Sequence, residues 1–196
     1  PFGAEKCTAP NIRSAYPRTP ANPSANASLA AAIAKHLKIR DGIIYGAIAQ
    51  TSLPCRFEII QQNPLVVLDG AHNPMKIANV VHNAKQLTYA TLYTMFGCAT
   101  TKDAAAMVRQ LERVTDSFIF TTPRGTAHTF YEPKKLAAMT ALPKRVAPNP
   151  RTALKAALQK IKPDDCLLIT GSFYLAGDLR KHWIPEKTIL TKRNHA

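Results

Sequence analysis

Acidic side chains are scarce in this 196-residue chain: 12 Asp and Glu stand against 26 Lys and Arg, a net charge of +14. That balance favours anionic partners such as nucleotides, polycarboxylates, nucleic acid or acidic lipid. Cysteine is also sparse, and Cys7, Cys55, Cys98 and Cys166 lie far apart with no CxxC pair and no histidine at zinc-ligand spacing. A disulfide-stapled scaffold and a zinc ribbon are excluded, and the four are expected to be reduced thiols. No apolar run approaches the roughly 18 residues of a transmembrane helix, and the N-terminus lacks the regions of a signal peptide. A soluble, cytoplasmic protein with no membrane partner is the expectation. None of the eight glycines is followed by lysine, so a GxxxxGK[ST] phosphate loop is absent, as are GxGxxG, GxSxG and HExxH. Taken alone, the chain lacks a complete catalytic machine.

Hydrophobic residues make up 46% and charged residues 19%, proportions that support a packed core rather than a disordered chain. Residues 1–23 carry five prolines with little periodicity and read as an extended entry segment. Leu29, Ile33 and Leu37 then recur every four residues among alanines, which predicts a helix from about Ser24 to Lys38 that packs closely on another element. Asn22, Ser24 and Asn26 are its candidate caps. Residues 41–56 read as a connection with a short strand, and a domain boundary falls near Pro54.

From Phe57 onward apolar strands alternate with amphipathic helices, which predicts an α/β domain with a mostly parallel sheet. The run Leu65 to Leu68 suits a central strand covered on both faces. Asn73 and Pro74 follow it as N-cap and first helical residue, with Ile77, Val80, Val81, Ala84 and Leu87 forming one face. The unit recurs with Tyr89 to Phe96 before a helix near Lys102–Val114, and with Phe118 to Phe120 before Pro123-Arg124-Gly125. Helical stretches follow near Lys134–Thr140 and Thr152–Ile161, and Cys166 to Ile169 precedes Thr170-Gly171-Ser172.

Ligands of an open α/β sheet bind beyond the carboxyl ends of the strands, so three loops are candidates. Asp69-Gly70-Ala71-His72-Asn73-Pro74 offers a hydrogen-bond acceptor, close backbone approach and an imidazole donor, and equally reads as plain helix capping. Gly171-Ser172-Phe173-Tyr174 could hold a carboxylate or phosphate at a helix start, or simply supply an N-cap serine. Arg124 could pair bidentately with a carboxylate or be solvated.

Leu53-Pro54-Cys55-Arg56-Phe57-Glu58, then Val67 to Pro74, then Thr170-Gly171-Ser172-Phe173-Tyr174-Leu175-Ala176-Gly177-Asp178-Leu179-Arg180, together resemble the folylpolyglutamate synthase/dihydrofolate synthase family of the Mur ligase superfamily. The similarity spans roughly residues 22 to 182. It implies a Rossmann-like C-terminal ligase domain over 53–196, preceded over 1–52 by the tail of a central ATPase domain and its linker. It further implies an ATP-dependent amide ligation: the carboxylate of dihydropteroate or a folate is phosphorylated, and the acyl phosphate is attacked by the amino group of L-glutamate. By the same resemblance Asn26, Arg56 and Asp69 would contact ATP. His72 and Ser172 would face the glutamate and the reaction centre, with Arg124 a further candidate for glutamate. The phosphate loop and the Mg2+ ligands would belong to an N-terminal ATPase domain, the implied partner, with no metal ligand in this chain. A monomer is expected.

The chain departs from the family where Cys55 replaces a usual glycine, and where Thr101-Lys102-Asp103 stands for an Asp-Lys-Asp run. Three other readings compete. A peptidoglycan-precursor ligase of the same superfamily shares the Ala-His-Asn-Pro agreement, although Gly70 and the GSFYLAGDLR stretch favour the folate branch. A nucleic-acid-binding module would explain the charge, but the basic residues are dispersed and no aromatic stacking motif accompanies them. A degenerate scaffold would not be expected to retain Arg56, Asp69, His72 and Ser172 together.

Overall fold

The structure, a computed structural model, describes residues 25–51, 53–123 and 128–185. Two helices come first, α1 (Ala25–His36) and α2 (Asp41–Gln50). The second corrects the expectation of a connection with a short strand over 41–56. Gly42, Gly46 and the β-branched Ile43, Ile44 and Ile48 are weak helix formers, yet the segment coils and packs on α1.

The sheet domain follows in the order β1 (Glu58–Gln61), β2 (Leu65–Leu68), α3 (Pro74–Ala84), β3 (Leu92–Phe96), α4 (Ala104–Leu111), β4 (Ser117–Phe120), α5 (Pro133–Ala137), β5 (Lys144–Val146), α6 (Pro150–Leu158), β6 (Cys166–Thr170) and α7 (Phe173–Arg180). The six strands lie in the order β1-β2-β6-β3-β4-β5. All neighbours are parallel except β1, which pairs antiparallel with β2. The expected Rossmann-like, mostly parallel sheet with flanking helices is therefore the observed one.

Burial follows the pattern of the strands. Every residue of β6 is buried, as a central parallel strand requires. One face of the sheet packs Ile77, Val80, Met107, Val108, Leu111 and Leu136 from α3, α4 and α5. The other packs Leu154, Ala157, Leu175, Ala176 and Leu179 from α6 and α7. β6 thus sends its chain to one face while its neighbours β2 and β3 send theirs to the other. A crevice opens at such a reversal, beyond the carboxyl ends of the strands.

Asn73 caps α3, its side chain accepting the Lys76 N–H at 2.9 Å, and Pro74 takes the first helical position, both as the sequence predicts. Two strands have no sequence signal: β1, a short edge, and β5, whose three residues Lys144, Arg145 and Val146 are exposed and held by backbone pairing to β4.

α1 packs on α2, as its alanine-rich character suits, but its periodic apolar stripe is left uncovered. Leu29, Ile33 and Leu37 are 62%, 55% and 65% exposed, and Ile39, Ile43 and Leu53 are exposed as well. In this chain Leu29→Ala and Ile33→Ala should therefore change unfolding free energy by no more than about 0.5 kcal/mol. Leu168→Ala in β6, at 1% exposure, should cost about 2 to 5 kcal/mol. Urea denaturation of the three variants checks the contrast.

Candidate functional site

The linker segment Cys55-Arg56-Phe57 enters the sheet domain in an unusual backbone shape. Cys55 and Phe57 have φ of 53° and 46°, the left-handed region that costs a side-chain-bearing residue about 1 to 2 kcal/mol, and both are buried. Cys55 carries a side chain and accepts that strain without glycine's freedom. Three carboxylate bonds hold the turn in place. The Cys55 N–H donates to Glu58 Oε2 at 2.9 Å, the Phe57 N–H to Asp69 Oδ2 at 2.8 Å, and the Ala71 N–H to Asp69 Oδ1 at 2.6 Å. The Gly70 N–H returns to the Cys55 carbonyl at 2.8 Å. Asp69 is therefore no helix cap. It ties the linker to the loop after β2.

Glu58 is 1% exposed and bidentate with Arg180, whose Nε and Nη2 both lie 2.9 Å from its carboxylate. The first and third motifs are thereby joined across 122 residues of sequence. Such a buried pair is costly to break from one side only, because the partner's charge is then left without compensation. Trp183 reinforces the junction, donating from Nε1 to Gln61 Oε1 at 2.8 Å.

His72 Nδ1 lies 2.8 Å from the Gly70 carbonyl, which can only accept, so in the neutral ring Nδ1 carries the hydrogen. Nε2 is then the lone pair, and the Lys76 ammonium, 3.3 Å away and one turn into α3, donates to it. Ser172 is the N-cap of α7. Its Oγ accepts the Tyr174 N–H at 3.1 Å, and its hydroxyl hydrogen is left to donate. Gly171, at φ 98°, has no space for a Cβ, which would meet the Phe96 ring and the Gly97 carbonyl at less than 3 Å.

Phe173 is where these segments meet. The Arg56 guanidinium lies over its ring, 4.5 Å from the centroid, and the His72 ring is tilted against it at 5.8 Å. A Cβ on Gly70 would collide with the same ring. Arg56, Gly70, His72 and Ser172 are thus gathered around one aromatic plate at the carboxyl edge of the sheet. Phe173 also forms part of the wall of a cleft of about 750 Å3 between α6 and α7, with Asn149, Arg151, Tyr174, Asp178 and Lys181.

Asn26 is exposed on the first turn of α1, and no hydrogen bond among the described residues brings it to Arg56 or Asp69. Arg124 lies outside the described residues. The residues that sequence reasoning passed over are Glu58, Lys76, Phe173 and Arg180. Lys76 had a signal, its i,i+4 spacing from His72, and the other three stood within the motifs without an assigned contact.

Among the described residues no three His, Cys, Asp or Glu side chains gather in a way that could hold a metal ion, and no helix is long and apolar enough to cross a membrane. Cys55, Cys98 and Cys166 are free, and burial pushes each thiol up to about 12, so they stay protonated near neutral pH.

A mostly parallel sheet that reverses at β6, with the linker and the segments after β2 and β6 meeting at its carboxyl edge, defines an open α/β domain with its candidate site at that edge. Residues 55–173 match the family described as Mur ligase, glutamate ligase domain, and the chain belongs to that family. It is 34% identical over 151 residues to the folylpolyglutamate synthase of Lacticaseibacillus casei, covering 76% of this chain and 33% of that one. It is 30% identical over 164 residues to a probable bifunctional folylpolyglutamate synthase/dihydropteroate synthase of Haloferax volcanii, covering 81% and 19%. A 2,6-diaminopimelate-adding ligase of Aquifex aeolicus is 27% identical, covering 74% and 32%. Among solved structures, Escherichia coli FolC in complex with DHPP and ADP superposes with a TM-score of 0.74 at 26% identity, covering 89% of this chain and 41% of that one. The chain spans between about a fifth and two fifths of the length of these relatives.

Burial raises the Asp69 carboxyl to about 6, against the lowering effect of the Ala71 and Phe57 N–H groups and of Arg56 and Lys76. Because the folded value lies above the ordinary carboxylate value, the native state binds the proton more tightly than the unfolded chain between about pH 4 and pH 6. The stability of the native protein relative to an Asp69→Asn variant should therefore fall by up to about 3 kcal/mol as pH rises through that window, then level off. Parallel denaturation of the two proteins at pH 4, 5, 6 and 7 measures it. A relative stability that rises with pH would contradict the assignment.

Proposed function

We propose that this chain is the glutamate-accepting part of an ATP-dependent amide ligase that adds L-glutamate to dihydropteroate or to a folate and its polyglutamates. The observation that carries the reading is the gathering of Arg56, Gly70, His72 and Ser172 around Phe173 at the carboxyl edge, in a chain 30% and 34% identical to folylpolyglutamate synthases. Both of these relatives at 30% identity or more carry the folylpolyglutamate synthase name, which supports the folate branch.

In this reading ATP transfers its terminal phosphoryl group to the substrate carboxylate. The amino group of glutamate then attacks the acyl phosphate, phosphate leaves, and an amide bond remains. Arg56 supplies a permanent positive charge to the nucleotide, and Asn26 makes a further contact with it. Asp69 has both oxygens on backbone N–H groups, so its first task is to hold the Arg56 turn in place while its remaining lone pairs face the nucleotide. His72 and Ser172 face the glutamate, His72 through Nε2 and Ser172 through its hydroxyl at a helix N-terminus suited to a carboxylate. Arg124 is assigned to glutamate by the same reading. Mg2+ would neutralise the phosphates, held by residues of the ATP-binding portion, since the side chains described here offer no cluster for it.

The unit boundary of this reading divides residues 1–52, the end of the ATP-binding domain and linker, from 53–196, the ligase domain. The exposed stripe of Leu29, Ile33 and Leu37 on α1 supports it, because an apolar helix face is normally covered. Its cover is the ATP-binding portion of the same monomeric, cytoplasmic enzyme.

The test is ATP-dependent phosphate release with dihydropteroate or tetrahydrofolate plus glutamate, run on this chain completed by an N-terminal ATP-binding portion. Turnover should require the pterin substrate and glutamate together. Arg56→Ala should raise the KM for ATP by roughly 10-fold or more, the weight of a charge-assisted hydrogen bond. His72→Ala and Ser172→Ala should instead raise the KM for glutamate. Wild-type constants in all three variants would overturn the site assignment.

A further inference from the structure

Phe173 has no role in the reading above, yet it is the side chain that every motif touches. It is 36% exposed although the linker and the loop after β2 both contact its ring. Two of its neighbours are specific. The Arg56 guanidinium lies over the ring face, and Gly70 is without a side chain where a Cβ would strike that ring. His72 packs against it at a tilt. The ring itself is fixed at the first position of α7, one residue after the buried Ser172 cap, and α7 is anchored at its far end by the Arg180–Glu58 pair.

Arginine carries several rotatable bonds, and a half-buried guanidinium with no plane to lie on would sample many of them. A cation over an aromatic face is held by the ring quadrupole, which leaves the N–H fork at the guanidinium edge pointing outward, free to donate. Arg56 is in addition carried on a turn whose flanking residues are both left-handed. Backbone strain fixes where its Cα sits, and the ring fixes where its head group goes.

We propose that Phe173 is a positioning residue for the nucleotide site: its ring face holds the Arg56 guanidinium in the orientation that meets the phosphates, and Gly70 is glycine to leave room for that ring. The inference rests on the assignment of Arg56 to ATP, and it adds a residue on α7, beside the glutamate-facing Ser172, to the machinery that holds the nucleotide. A ligand that displaces the ring would disturb both sites together.

The test has two arms. In the 196-residue chain, the Arg56 Nε–Hε proton should be shifted upfield by the ring current of Phe173 and should return toward its free-peptide position in Phe173→Leu, with the resonances of residues remote from the ring, such as those of β3 and β4, unchanged as a check on folding. In the completed ligase, Phe173→Leu keeps an apolar side chain but removes the π face. It should raise the KM for ATP about fivefold, as expected for a cation–π contact of about 1 kcal/mol, with kcat changing less. Phe173→Tyr keeps the face and should stay within about twofold of the native KM. The Arg56→Ala, Phe173→Leu double variant should be no worse than Arg56→Ala alone. An unshifted Arg56 proton, an unchanged KM in Phe173→Leu, or additive losses in the double variant would each overturn the proposal. If Arg56→Ala raises the KM for ATP while Phe173→Leu leaves it unchanged, only the role of Phe173 fails. If Arg56→Ala itself has no effect, the nucleotide assignment of Arg56 fails first.

Discussion

The Asp69 carboxylate stands at the end of β2 and takes one N–H from each of two chain segments, Phe57 in the linker and Ala71 in the loop that opens α3. Everything else at the site depends on that junction. Without it the linker has no reason to hold two left-handed residues around Arg56, because their strain of about 1 kcal/mol or more each must be offset by bonds made nearby. Glu58 makes the same kind of bond from the next strand, to the Cys55 N–H, and is itself fixed by Arg180. Burial disfavours the charge on Asp69 and raises its carboxyl to about 6, so the junction is built from a group whose ionisation the fold does not favour. What the arrangement gains is geometry: two carboxylates convert a flexible linker into a defined turn.

From that turn the rest of the site follows in order. Arg56 projects from between the two strained residues and lies over Phe173. Phe173 begins α7, whose N-cap is Ser172 and whose last residue, Arg180, returns to Glu58. The linker, the loop after β2 and the start of α7 form a closed circuit of contacts. A shift in any one of them is felt by the other two, as packed interiors transmit strain rather than absorb it.

Much of this domain was legible in the sequence, and the parts that were not have physical reasons. The β2 run Leu65 to Leu68, the Asn73 cap with Pro74, and the buried β6 run carry strong local signals, and each appears where it was expected. The helix α2 is not legible in the sequence because its glycines and isoleucines have weak helical propensity, which packing on α1 overrides. β1 and β5 are edge strands of four and three residues, too short for a sequence period to stand out, and are specified by pairing to a neighbour that the sequence does not identify. The stripe on α1 was correctly seen as apolar but is exposed in this chain, because periodicity reveals that a face is to be covered and not what covers it. At the site, Asp69, His72, Ser172 and Arg56 could be singled out by residue type and resemblance. The contacts between Glu58 and Arg180, and between Arg56 and Phe173, join residues more than 100 positions apart and had no local signature.

The central claim is that the linker turn is a rigid part of the folded domain, clamped by Asp69 and Glu58, and not a hinge that opens on its own. Native-state hydrogen exchange of the Cys55, Phe57, Gly70 and Ala71 amides tests it most directly, since each N–H donates within the circuit. The account predicts that all four exchange only with global unfolding, at the same free energy as the amides of β6. Exchange of these four through a local opening well below that free energy, while β6 remains protected, would contradict it.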